Sequence, residues 1–291
     1  MRNWLEYLPF IMIASLVRAL PRRTALALGR YLGGLARYCQ PRRAAIARGN
    51  LATALPELAQ ADQATILAQT FVNLGANFVE MLRLDKITEK ELRDRYTLIG
   101  KAHIDAALAH GRGAILLTGH LGFWEAGAYL LAQAGYRPAF VAKPMRNPLV
   151  DSYFRRMREA SGSSYIDSRR GARRILKALQ ENRMVGVLMD QHAGKRQGIA
   201  VPFFDRPAWT TPIITEMAMK YQVPVIPAFA RRTEDDCHEV TIQPHFFLEG
   251  NGNDSVRENT TRLNRIIEDA VRRDPAQWFW VHRRWRVKTG G

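Results

Sequence analysis

A histidine and a carboxylate five residues apart close a short apolar run: AILLTGHLGFWE, residues 114–125, carries His120 and Glu125. An imidazole can take a proton from a hydroxyl at neutral pH, and a carboxylate beside it fixes the ring tautomer and stabilises the imidazolium. Along an unbroken helix the two side chains would stand about 140° apart and could not touch. Gly119 and Gly122 bracket the histidine, so the expectation is a loop that folds back and brings His120 to Glu125 in the first turn of the next helix. The helix dipole favours a charged Glu125 there.

Several elements must position this pair. Residues 114–118 are too few and too apolar for anything but a buried strand, and residues 123–135 have helical composition. A second short strand at 139–143 ends in Lys143, and a proline-rich turn carrying Arg146 leads to a helix through about residue 159. A third buried strand, 184–190, ends in Asp190 and Gln191. Ligands gather at the carboxyl ends of strands in open α/β sheets, so His120, Lys143, Asp190 and Gln191 should converge on one crevice. Seven arginines between 155 and 174, Arg158 among them, read as an anion-binding surface, because guanidinium forks match phosphate geometry. His192 has no cysteine neighbours that would support a metal role, and SGSS at 161–164 does not match the Gly-x-Ser-x-Gly elbow of covalent serine catalysis.

The rest of the chain reads as scaffold. Leu67, Phe71, Leu74, Phe78 and Leu82 recur at helical spacing, giving a core helix over 62–84 with Asp62 as its cap. Residues 195–206 read as a loop, and Thr211 with Pro212 begins a helix to about 221. Strands at 223–230 and 239–243 should form a hairpin at a sheet edge, since Pro224 and Pro227 fit poorly in a central strand. A helix over 255–273 precedes WFWVHRRWR at 278–286. Such a cluster suits a membrane interface, a lined acyl pocket or stacking on bases.

The 291 residues, 47% of them hydrophobic, form a globular chain of one large or two small domains, and Cys39 and Cys237 imply no disulfide framework. The net charge is +16, and half of it lies in residues 1–48, which hold nine arginines against Glu6 alone. Arg23, Arg30 and Arg37 share one helical face, with Leu28, Leu32 and Leu35 forming an apolar stripe elsewhere. The apolar run 7–17 is interrupted by Pro9, is too short to span a bilayer comfortably, and is followed by arginines where a signal peptide would have a small-residue cleavage site. Residues 1–22 are therefore expected to form an uncleaved anchor that dips into the inner leaflet, with the arginines on the anionic cytoplasmic side. A nucleic-acid binder is the alternative that charge alone suggests, but the chain has no helix-turn-helix, zinc or RNA-recognition signature.

Taken together, five blocks in order give the chain a resemblance to the bacterial lipid A biosynthesis acyltransferases, of the lysophospholipid acyltransferase superfamily. They are His120 to Glu125 as a His-x4-acidic motif, NPLVD at 147–151 leading to Arg158, Asp190-Gln191 with a following glycine, VPFF at 201–204, and WVHRR at 280–284. The resemblance covers nearly the whole chain. It implies a single α/β domain over 23–291, with a mixed, mainly parallel central sheet flanked by helices and an N-terminal membrane-associating helix. It implies an enzyme on the cytoplasmic face of the inner membrane that moves a fatty acyl group from acyl carrier protein to a hydroxyl of a phosphorylated glycolipid, a lipid A precursor, without metal or other cofactor. His120 and Glu125 would be the catalytic pair, Arg158 would support charged reactants, Asp190 and Gln191 would shape the site, and Lys143 and Arg146 would assist binding. An acyl-CoA-dependent transferase acting on a phosphatidylinositol mannoside or another glycolipid is the nearest alternative.

Overall fold

Alternate side chains of one strand feed two different cores. The computed structural model describes residues 2–160 and 162–286, without the Arg170 side chain; Ser161 and the last five residues of the expected domain lie outside it. Its strands are β1 (Tyr96–Ile99), β2 (Ala114–Thr118), β3 (Ala139–Ala142), β4 (Ser164–Asp167), β5 (Met184–Leu188), β6 (Ile199–Phe203), β7 (Arg206–Thr210), β8 (Val225–Arg232) and β9 (His238–Ile242). Seven of them form one sheet in the order β1-β9-β8-β2-β5-β3-β4, parallel throughout except where β8 meets β9. In β2, Ile115 and Leu117 join one core with the helices Gly171–Gln180, Ile213–Tyr221 and Gly252–Arg273, while Ala114 and Leu116 join another with Lys101–Leu108, Glu125–Gln133 and Pro148–Ala160. A strand buried on both faces has no polar alternation, which is why residues 114–118 read as a continuous apolar run.

The expected strands and helices form close to their anticipated bounds, with three corrections. The hairpin β8–β9 is antiparallel as expected but lies inside the sheet, because β1 covers β9 and β2 pairs with β8. Pro227 is tolerated because its carbonyl takes the Gln243 amide at 2.9 Å where the β8–β9 ladder ends, so its missing donor interrupts nothing. Residues 195–206 are not a plain loop: β6 and β7 form a separate two-stranded hairpin, turned at Phe204 and Asp205, both with positive φ. Strands β1 and β4, four residues each at the two sheet edges, had no pattern long enough to stand out.

Four helices, Arg2–Ala19, Arg22–Cys39, Pro41–Ala54 and Gln60–Met81, form an N-terminal layer. The second and fourth cross at glycines: a Cβ on Gly75 would stand 2.0 Å from the Gly29 carbonyl oxygen, and one on Gly33 2.3 Å from that of Phe71. No helix among the described residues is long and apolar enough to cross a membrane. The first helix seats Phe10, Ala14 and Val17 inward, with Phe10 against Tyr153 and Phe154, and leaves Trp4, Leu5, Leu8, Met12, Ile13 and Leu16 exposed.

Candidate active site

His120 sits two residues past β2, in a turn that two glycines make possible. Gly119 lies against Asp190, where a Cβ would be 3.2 Å from the carboxylate oxygen, and Gly122 has φ +57° with the Ala230 carbonyl 2.4 Å from where its Cβ would be. Asp190, two residues past the neighbouring strand β5, faces this turn. Its Oδ2 accepts the His120 backbone N–H and the Trp278 indole N–H, each at 2.7 Å, while its Oδ1 is 2.8 Å from His120 Nδ1. Burial opposes the Asp190 charge, but His120 and the Trp278 donor more than offset it and hold the carboxyl down at about 2. An ionised carboxylate only accepts, so Nδ1 carries the ring proton and Nε2 presents its lone pair. The Gln191 amide nitrogen lies 3.1 Å from that Nε2.

The expected contact between His120 and Glu125 does not form. Glu125 does begin the following helix, Glu125–Gln133, but both its oxygens are taken by Arg158, through Nε at 2.9 Å and Nη2 at 2.6 Å. This bidentate pair joins the first turn of one helix to the last turn of Pro148–Ala160. Burial works against the Arg158 charge, yet Glu125 holds its pKa above the ordinary value. The orienter of His120 is thus a residue 70 positions away, and the local carboxylate serves an arginine instead.

His120, Glu125, Arg158, Gln191 and Lys143 all line one cavity of about 890 Å³ at the carboxyl ends of β2, β3 and β5, together with Trp124, Phe140, Ile175 and Val187. Of the four residues expected to converge, His120, Lys143 and Gln191 line the cavity, and Asp190 is buried behind His120. Arg146 is exposed and stands outside the lining. Of the seven arginines, Arg169 and Arg158 line the cavity, while Arg155, Arg156, Arg173 and Arg174 face solvent. His192 is in the wall, and among the described residues no group of three or more histidine, cysteine or acidic side chains could hold a metal.

The C-terminal aromatic cluster is neither a membrane belt nor an exposed stacking platform. Trp278, Trp280 and Arg284 are buried, and the segment straps the site from behind. The Phe279 amide donates to the His120 carbonyl at 3.1 Å, and Leu121 bridges to Trp278. Asn50 holds the carbonyls of Trp280 and His282 at 2.6 and 2.7 Å. Arg284 donates to the Trp209 carbonyl and Thr210 Oγ1 over the Phe203 ring, and burial pushes its pKa down to about 10. Trp278 is the site residue that sequence reasoning missed. Its signal was the dense aromatic segment itself, whose inward direction only packing reveals.

Comparison with known proteins finds relatives along nearly the whole chain. A lipid A biosynthesis acyltransferase of Haemophilus influenzae is 25% identical over 289 residues, 99% of this chain and 88% of that protein. The lipid A biosynthesis lauroyltransferase of Escherichia coli is 27% identical, across all of this chain and 94% of its own length. A phosphatidylinositol mannoside acyltransferase of Mycobacterium tuberculosis is 26% identical over 92% of this chain and 85% of its own length. The family model described as bacterial lipid A biosynthesis acyltransferase matches residues 1–287, and the chain, an O-acyltransferase, belongs to that family.

Proposed function

We propose that this protein transfers a fatty acyl chain from the thioester of acyl carrier protein to a hydroxyl of a phosphorylated lipid A precursor, with His120 as the general base. The observation that carries the reading is the Asp190–His120 pair, which turns an imidazole lone pair toward a large cavity with mixed apolar and cationic walls. The acceptor hydroxyl displaces the Gln191 amide from Nε2, gives its proton to the ring and attacks the thioester carbonyl carbon. As the carbon–sulfur bond breaks, the departing thiolate takes the proton back from the imidazolium that Asp190 stabilises. Glu125 is not the base in this scheme: held by Arg158, it fixes the wall where the guanidinium and Lys143 meet anionic parts of the substrates.

The reaction belongs at the cytoplasmic face of the inner membrane, where the exposed apolar side of Arg2–Ala19 enters the leaflet and the exposed arginines that follow, Arg23, Arg42 and Arg48 among them, face anionic lipid. Incubating the purified protein with acyl carrier protein thioester or acyl-CoA and a phosphorylated disaccharide lipid, with mass spectrometry of the product, tests donor and acceptor together. A gain of one acyl chain from the carrier-protein donor is expected, and it should vanish in His120→Ala. Preferential acylation of a phosphatidylinositol mannoside from acyl-CoA would instead favour the second reading, which the mycobacterial relative motivates.

A further inference from the structure

A buried polar chain reaches the catalytic turn from the N-terminal helical layer, on the side away from the substrate cavity. Asn77, in the helix Gln60–Met81, donates its amide to the Gly122 carbonyl at 2.7 Å, and its own side-chain oxygen accepts Arg232 Nη2 at 2.7 Å. Arg232 in turn binds Glu80, which also receives Arg22 at 2.7 Å and lies 3.0 Å from His238 Nε2. The backbone of Arg232 is held by the Gln277 side chain, donor to acceptor and acceptor to donor at 2.8 Å each. The Gln277 carbonyl accepts the Gly122 amide at 3.1 Å. Asn77, Glu80, Arg232, His238 and Gln277 are all buried.

Stability alone does not account for this arrangement. Taking several charges out of water costs free energy, and well-packed apolar residues of similar volume are often as stabilising or more so. What a buried hydrogen-bonded network provides in addition is direction, and here it ends on the turn that carries His120. The four residues from Gly119 to Gly122 are fixed by Asp190 and by the C-terminal strap, which leaves the Gly122 carbonyl to Asn77. We propose that Asn77, held by Arg232 and Glu80, is a positioning residue that sets the angle at which His120 meets the acceptor hydroxyl.

The proposal rests on His120 being the base, so His120→Ala is assayed alongside: if that variant keeps its activity, the reading of His120 fails and not the role of Asn77. Asn77→Asp keeps shape and the acceptor for Arg232 but sets an oxygen against the Gly122 carbonyl. It should lower kcat about 10- to 100-fold with the KM for acyl donor within about twofold, because misplacing a catalytic group by a fraction of an ångström falls on the chemical step. Glu80→Gln, which loosens Arg232 without removing it, should give a smaller loss with the same split. A rise in KM with kcat unchanged, or full activity in both variants, overturns the proposal. If Asn77→Asp does not fold, Glu80→Gln decides it, with wild-type kcat counting against.

Discussion

Asp190 reaches its low pKa by being the single acceptor for three donors: two on His120 and the indole of Trp278. Replacing it by Asn puts an amide where the ring proton now points and favours the other tautomer. Asp190→Asn should therefore lower kcat by about 10³- to 10⁴-fold, the scale seen when a carboxylate orienter is lost elsewhere. Combined with His120→Ala it should add almost nothing, since the two act as one unit. Because the folded-state pKa of about 2 lies below the ordinary aspartate value, Asp190 contributes stability that is present above pH ~4 and lost as pH falls toward 2. Denaturant titrations should show the gap between wild type and Asp190→Asn closing over that range. The Glu125–Arg158 pair obeys a different rule, because both partners are largely out of water and meet as a fork. Glu125→Gln should cost about 3 kcal/mol in chemical denaturation by removing the charge that the Arg158 fork grips. Arg158→Lys, with a point charge in place of the fork, should lose at least about tenfold in rate.

The elements behind the site are held at close approach. Helices Arg22–Cys39 and Gln60–Met81 touch backbone to backbone at Gly29, Gly33 and Gly75, so Arg22 reaches Glu80 across a short distance. Gly75→Ala must push the helices apart, since its Cβ would meet the Gly29 carbonyl at 2.0 Å. A loss of about 2–3 kcal/mol in unfolding free energy is expected, the cost of overpacking, while Gly49→Ala, inside the helix Pro41–Ala54 with nothing within 4 Å, serves as the control and should stabilise by up to about 1 kcal/mol. The first helix is part of this scaffold as well: Arg83 caps its end by donating to the carbonyls of Val17, Arg18 and Leu20, and Arg18 pairs with Asp85. Deleting it should therefore destabilise the fold, and a surface substitution is the cleaner probe of what its outer face does.

For the molecule as a whole, that outer face and the +16 charge act together. Changing Leu5, Leu8, Met12 and Leu16 to Gln removes exposed apolar surface without touching the buried side. Flotation with anionic vesicles should show at least a tenfold drop in binding, with Tm within about 3 °C of wild type, and added salt should weaken both proteins further. The sequence by itself determined the local features: the apolar strand before His120, glycines at the turn, a carboxylate at the next helix start, and polar residues at the ends of β3 and β5. These are set by periodicity and backbone freedom within a few residues, and they were legible for that reason. Which carboxylate orients the histidine was decided only by the tertiary structure. Parallel pairing of β2 with β5 brings Asp190 beside His120 across 70 residues, while the crossover that places Pro148–Ala160 over the site hands Glu125 to Arg158. The direction of the C-terminal tryptophans, the interior place of β8 and the Asn77 contact likewise depend on which surfaces meet, and residue type and spacing along one chain carry no record of that.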